Sequence, residues 1–145
     1  MEFIYNDGGR KESGYKGEAR DCVVRAISIA TKTKYQKVYD DLWKINGKSP
    51  RNGISKITTI KKYIQSIGWK WVACMKIGDG CKVHLKKDEL PSGTIICRLS
   101  RHIVAVIDGV IHDTYDCSRN ETRCVYGYWI KSNKKGRKTW KKKSK

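Results

Sequence analysis

Apolar positions along the chain change their period once, near residue 69. Before that point they recur every three or four residues. Tyr35, Val38, Tyr39, Leu42 and Ile45 would share one helical face, and Ile57, Ile60, Ile64 and Ile67 repeat the pattern up to Gly68. A shorter run, Cys22-Val23-Val24-Arg25-Ala26-Ile27-Ser28-Ile29-Ala30, follows Asp21, a residue type suited to capping a helix N-terminus. Three helices are therefore predicted: a short, mostly buried one from Cys22, a second from about Thr33 and a third from about Ser55. The first fifteen residues, with Asp7-Gly8-Gly9 and Ser13-Gly14, read as a turn-rich lead-in.

From Trp69 the period falls to two. Trp69 to Met75 alternates large apolar and polar groups as a strand does, and Gly78-Asp79-Gly80 closes it. Further strands are predicted at Val83-His84-Leu85, Thr94 to Leu99, Arg101 to Ile107, Val110 to Tyr115 and Cys124 to Ile130. Asp108-Gly109 is a strong two-residue hairpin turn between Ile107 and Val110. Helices first and antiparallel strands after them make an α+β domain, with the N-terminal helices packed on a C-terminal sheet.

Charge changes the picture at the C-terminal end. Of the 32 Lys and Arg in 145 residues, nine fall within 131–145, where there is no acid; the first 130 residues hold 23 against 14 Asp and Glu, and the chain as a whole carries +18. A block of that kind repels itself and has little to bury, so residues 131–145 are expected to form a flexible basic tail behind a single domain over 1–130. Lys134, Lys135, Arg137, Lys138, Lys141, Lys142 and Lys143 would contact nucleic acid by displacing counterions, and Trp140 would stack on an unpaired base. With 39% hydrophobic residues there is material for a core. No apolar run is long enough to span a membrane and no export signal opens the chain, so a cytoplasmic protein with no membrane partner and six reduced cysteines is expected.

The chemistry concentrates in two places eighty residues apart. Cys22 falls in the first turn of a helix, where unpaired N–H groups and the positive end of the macrodipole favour a thiolate. His102 opens a strand. A thiol at a helix N-terminus facing a strand histidine is a minimal nucleophile and base for acyl transfer. The hairpin places a third member by counting: with Asp108-Gly109 as the turn, Ile107 faces Val110, Val104 faces Asp113 and His102 faces Tyr115. Asp113 then lies one diagonal step from His102 on the same sheet face. A bulge would bring Asp116 there instead, which leaves Asp116 as the second candidate for the orienting acid.

Asp21-Cys22-Val23-Val24-Arg25-Ala26, Ser100-Arg101-His102-Ile103-Val104-Ala105-Val106 and Asp108-Gly109-Val110-Ile111-His112-Asp113-Thr114 resemble the papain-like cysteine peptidase superfamily, in particular its small bacterial peptidase C39-like branch. More narrowly, they are similar to small phage-encoded proteins of that type. The similarity covers roughly residues 5 to 130 and leaves out the tail. It implies a papain-like fold with Cys22 as nucleophile, His102 as general base and Asp113 as orienting acid. The backbone N–H of Cys22 would form half of an oxyanion hole. Lys16 stands where the family places a Gln, so Asn6 is the candidate for the second donor.

Other chemistries find less support. No Cys-x2-Cys pair occurs, and the nearest spacings, Cys74 to Cys81 and Cys117 to Cys124, leave six residues between, so no metal is expected. Gly8-Gly9 and Gly78-Asp79-Gly80 lack the context of a phosphate-binding loop, and no cofactor is expected. The leading reading is a cysteine hydrolase or acyltransferase acting on an amide or thioester, its protein or peptide substrate unidentified, with its basic body and tail directing it to an acidic or nucleic-acid-bound target. The alternatives keep the fold without the catalysis: a basic protein docking on RNA, DNA or a ribonucleoprotein such as the ribosome, or an inhibitor of a host factor. The substrate cleft is expected between the loops Gly47 to Ile54 and Lys76 to Lys87.

Overall fold

The computed structural model describes residues 1–17, 19–54, 56–76 and 78–132. The helical periods become α1 (Cys22–Thr31), α2 (Tyr35–Asn46) and α3 (Ile57–Ser66). Their inward faces carry the predicted residues Val38, Tyr39, Leu42, Ile60 and Ile64, whereas Ile45 and Ile67, at the far ends of the two stripes, are exposed. Gly47, at φ 79°, closes α2 in the left-handed conformation, and Lys32, at φ 55°, closes α1 the same way.

Six strands form one sheet: β1 (Glu2–Tyr5), β2 (Trp69–Ala73), β3 (Thr94–Leu99), β4 (His102–Ile107), β5 (Val110–Asp113) and β6 (Gly127–Lys131). Their spatial order is β1-β5-β4-β3-β6-β2. β3 and β4 lie in the middle, buried on both faces, which is why their sequences are nearly continuous apolar runs. On one face Ile96, Ile103, Ala105 and Trp129 meet Val24, Ile27, Val38, Leu42 and Ile64 of the helices. On the other, Ile95, Cys97, Val104, Val106 and Ile111 are covered by Leu85, Cys117 and Val125 from irregular segments. α1 lies directly over β4 and β3.

Several expectations need correction. The lead-in contains β1, which runs parallel to β5 with Glu2 opposite Val110 and Tyr5 opposite Asp113, so the sheet is mixed and not purely antiparallel. All four β1 residues are exposed and their partner is over a hundred residues away, so no local burial pattern marks the strand. Arg101, at φ 55°, belongs to the two-residue Ser100-Arg101 turn that pairs Leu99 with His102, so β4 begins at His102. Val83 to Leu85 contributes only a single bridge, His84 with Cys124. The last strand starts at Gly127 and takes in Lys131, the first residue assigned to the tail. The tail residues named for nucleic-acid contact lie outside the described residues.

Asp21 occupies the N-cap position of α1 without a side-chain capping bond, because its carboxylate is taken by other partners. The six cysteines are not all reduced either. Cys81 and Cys124, with Cα atoms 5.8 Å apart, form a disulfide that ties the segment after β2 to the one before β6, a pairing that their sequence separation of 43 gave no means to foresee. Cys22, Cys74, Cys97 and Cys117 are free thiols.

Candidate active site

The hairpin has the register counted from the sequence. Ile107 pairs with Val110, Val106 with Ile111 and Ala105 with His112, without a bulge, so the register carries Asp113 beside Val104. β1 then flanks β5 on its outer side, and the Asn6 N–H donates to the Asp113 carbonyl at 2.8 Å. Asp113 is therefore at the end of an inner strand, 3% exposed. Its Oδ2 lies 2.6 Å from His102 Nε2. Its Oδ1 accepts the Thr114 N–H at 2.7 Å and Arg25 Nη2 at 3.3 Å. Asp116 is exposed, its Oδ1 accepts the Ser118 N–H at 3.0 Å in a local turn, and it makes no bond to His102.

Cys22 is the first residue of α1, half-buried, where the helix N-terminus abuts the start of β4. Its thiol is set against His102 and the Ile103 N–H. Burial alone would raise the thiol's pKa. The hydrogen bond and charge of His102, the Ile103 N–H and the nearby Arg25 outweigh burial, and hold the thiol below the usual range. The imidazole moves the opposite way. Burial disfavours its charge, but hydrogen bonds to Asp113, Cys117 and Cys22 together raise its pKa well above that of an ordinary histidine. Asp113 is in turn kept below the usual carboxylate range: burial opposes this, and His102, the Thr114 N–H and Arg25 prevail. The three shifts run in the directions that favour a thiolate beside an imidazolium beside a carboxylate.

Two residues of the site escape a reading from sequence. Arg25, one turn into α1 and 8% exposed, bridges Asp113 to Asp21. Asp21, 1% exposed, also accepts Tyr35 OH at 2.5 Å and Arg10 Nε at 3.3 Å. The i, i+4 spacing of Asp21 and Arg25 was the available signal. Cys117 is the second thiol on His102, and it differs from Cys22 in two decisive ways: it is 1% exposed, and burial raises its pKa despite the same imidazole. It stays a thiol and has no access to a substrate.

His102, Asp113 and Cys117 also hold three ligand-type atoms within 4.8 Å of one another. Arg25 already sits on the Asp113 carboxylate, and a guanidinium there opposes a divalent cation. Asn6, expected as the second oxyanion donor, is turned elsewhere: its Oδ1 accepts the Gly8 N–H at 2.9 Å and its Nδ2 lies 3.5 Å from His112 Nδ1.

Cys22 and His102 open onto a cleft of about 700 Å³. Lys48, Ser49, Asn52, Gly53 and Ile54 form part of its wall, so the first of the two expected loops lines it. No described residue of the second, Lys76 to Lys87, does; that segment is drawn towards β6 by the Cys81–Cys124 disulfide. No helix among the described residues is long and apolar enough to cross a membrane. Comparisons with protein-family models, curated proteins and solved structures found no match, so geometry and chemistry carry the reading of this site.

Proposed function

We propose that the protein is a papain-like cysteine hydrolase or acyltransferase of the peptidase or amidase type. The observation that carries this reading is the pairing of one imidazole with two thiols, of which only the one facing a cleft, Cys22, is driven towards its thiolate. The chain order supports the papain-like assignment: a cysteine at a helix N-terminus, then a histidine and an aspartate on adjacent antiparallel strands beneath that helix.

In the reaction, Cys22 Sγ attacks the substrate's carbonyl carbon, and the carbonyl electrons move onto oxygen. The first-turn N–H groups of α1 lack intrahelical acceptors, and the N–H of Cys22 is suited to bind the developing oxyanion. Asn52, whose carboxamide carries an N–H2 donor, lines the same cleft and is our candidate for the second donor. As the tetrahedral species collapses, the C–N bond breaks and the His102 imidazolium gives its proton to the departing amine. A thioester remains. His102, now neutral, takes a proton from water or an acceptor amine as it attacks the thioester, and Cys22 leaves as thiolate. Asp113 fixes the imidazole through Nε2, so the other ring nitrogen, Nδ1, handles the proton.

The test is the pH dependence of Cys22 alkylation, followed by peptide mass mapping in wild type and in His102→Ala. An unperturbed thiol titrates near about 8.5, so rapid modification at pH 6 that is lost in His102→Ala is expected. An inert Cys22, or one that reacts equally without His102, refutes the enzyme and leaves a basic protein that binds RNA, DNA or a ribonucleoprotein.

A further inference from the structure

The cleft at Cys22 is polarised in a way the catalytic residues do not require. Its floor is aliphatic: Val23, Ile54, Ile57, Ile60, Leu99 and Ile103. Its rim carries four cations, Arg20, Lys48, Arg98 and Arg101, and no Asp or Glu is among the residues that line it. Three other arginines, the buried Arg25 and Arg123 and the partly buried Arg10, are consumed internally. Arg10 and Arg25 are spent on Asp21 and Asp113, and Arg123 donates to the carbonyls of Cys117 and Ser100. The rim cations make no ion pair with any described residue. Arg20, Lys48 and Arg101 are exposed, and Arg98 only stacks on the Tyr126 ring, 5.7 Å from its centroid. The described carboxylates are placed elsewhere: Asp21 and Asp113 in the buried charge cluster, Asp40 and Asp41 on α2, Glu2 on β1 and the others in turns and loops.

We infer that the cleft recognises an acidic peptide segment, with an aliphatic side chain seated on the isoleucine floor and flanking Asp or Glu side chains meeting Arg20, Lys48, Arg98 and Arg101. The inference rests on the acyl-transfer reading for the scissile bond, and adds to it the class of substrate. Two features favour peptide over nucleic acid. The floor is aliphatic, and Tyr126 is the one Phe, Tyr or Trp among the described residues that line the cleft, with Arg98 over one of its faces, so there is no row of aromatic rings on which successive bases would stack. On the acyl-transfer reading the thiolate attacks an acyl carbon, which a polynucleotide lacks. Clustered like charges at a low-dielectric rim raise the local concentration of an oppositely charged substrate, so the preference should weaken with salt.

The experiment uses the full chain with Cys22→Ala, which keeps the cleft and cannot turn over. Binding is read by fluorescence anisotropy with three labelled peptides of one Leu-containing frame whose flanking residues are Glu, Gln or Lys. Each exposed ion pair is worth roughly a 1.5- to 5-fold change, so the Glu peptide should bind about tenfold or more tighter than the Gln peptide. Arg98→Glu with Arg101→Glu should abolish that advantage and let the Lys peptide bind. Arg20→Glu with Lys48→Glu serves as an independent pair, away from the sheet. The basic tail is intact in every variant, so a Glu preference that survives both reversals comes from the tail and overturns the inference. Equal binding of the Glu and Gln peptides overturns it as well. An oligothymidylate whose binding falls with the same reversals while the peptides show no preference overturns it in favour of a nucleic-acid groove. Cys22 alkylation in the parent protein separates the two readings: a reactive thiol without acidic preference removes only the inference, and an acidic preference with an inert thiol removes only the enzyme.

Discussion

Asp21→Asn is the substitution that most directly tests how the site is held together. The side chain is 1% exposed and serves three donors: Arg25 on Oδ1, with Tyr35 OH at 2.5 Å and Arg10 Nε at 3.3 Å on Oδ2. Asparagine keeps the volume but removes the charge and replaces one acceptor oxygen by an N–H2 group, while the two guanidinium partners can only donate. Arg25 is then left with Asp113 alone, which it already shares with His102, and Arg10 loses its ion pair among the described residues. Removing one partner of a buried pair costs about 3–5 kcal/mol, because an uncompensated charge stays behind. At about 2–4 °C per kcal/mol for a chain of this size, the melting temperature should fall by roughly 6–20 °C. Urea unfolding followed by far-UV circular dichroism gives the free energy directly. Tyr35→Phe removes one hydrogen bond to the same carboxylate and should cost less, about 1.5–3 kcal/mol. A loss below about 1 kcal/mol for Asp21→Asn, or a loss no larger than that of Tyr35→Phe, would refute the claim that this carboxylate neutralises two guanidinium groups.

Other perturbations test separate parts of the structure. In Asp113→Asn the imidazole loses the partner that keeps it charged, so Cys22 alkylation at pH 6 should slow by roughly ten- to 300-fold, the upper limit being the thiolate fraction left to a thiol of pKa about 8.5. Asp113 has a depressed pKa in the folded state, so its stabilisation is present above the ordinary carboxylate range and is lost as pH falls through the folded value. An acid titration of stability should therefore flatten in the same variant. Cys81→Ser opens a loop spanning 43 residues of separation and should cost up to about 4 kcal/mol in urea unfolding; the unreduced wild-type chain, once denatured, should give four thiols with Ellman's reagent and not six. In Gly127→Ala the new Cβ would lie 2.3 Å from the Trp71 ring and 2.8 Å from the Val72 carbonyl oxygen, so about 1–3 kcal/mol of stability should be lost, with a shift in tryptophan emission as Trp71 leaves Trp129.

Much of the site could be read from sequence because its geometry rests on one short-range rule. Asp108 and Gly109 both have positive φ, 48° and 78°, as a two-residue hairpin turn demands, and that turn alone fixes the register that brings Asp113 to His102. The helices were legible for a similar reason: the spacing of Val38, Leu42, Ile60 and Ile64 is a local record of which face is buried. Long-range features left no such record. β1 is an exposed edge strand whose partner is β5, at the other end of the domain. The Ser100-Arg101 turn has neither Gly nor Pro, and Arg101 adopts φ 55° because the Leu99–His102 pairing imposes it. Arg25 looked like one helical residue among others, since nothing in its neighbourhood announces that Asp113 meets it 88 positions later.

That missed arginine is part of what would offset the cost of a thiolate at Cys22. Alternating through the interior are Arg10, Asp21, Arg25, Asp113, His102 and Cys22, cation and anion in turn, each in contact with the next. With His102 protonated and Cys22 ionised, the chain has three charges of each sign. A half-buried thiolate would ordinarily be driven back to the thiol by desolvation, as Cys117 is a short distance away. The ladder offsets that cost by giving every charge an opposite neighbour. It also isolates the site from the rest of a protein carrying +18: the internal ladder is neutral, so the excess positive charge is expressed outside it, on the surface and at the cleft rim. On the proposed function, nucleophile activation and substrate attraction would thereby be separated. Reversing Arg98 and Arg101 should alter what enters the cleft and leave the pH profile of Cys22 alkylation in place, whereas Asp113→Asn should change that profile and leave the charge preference of binding as it was.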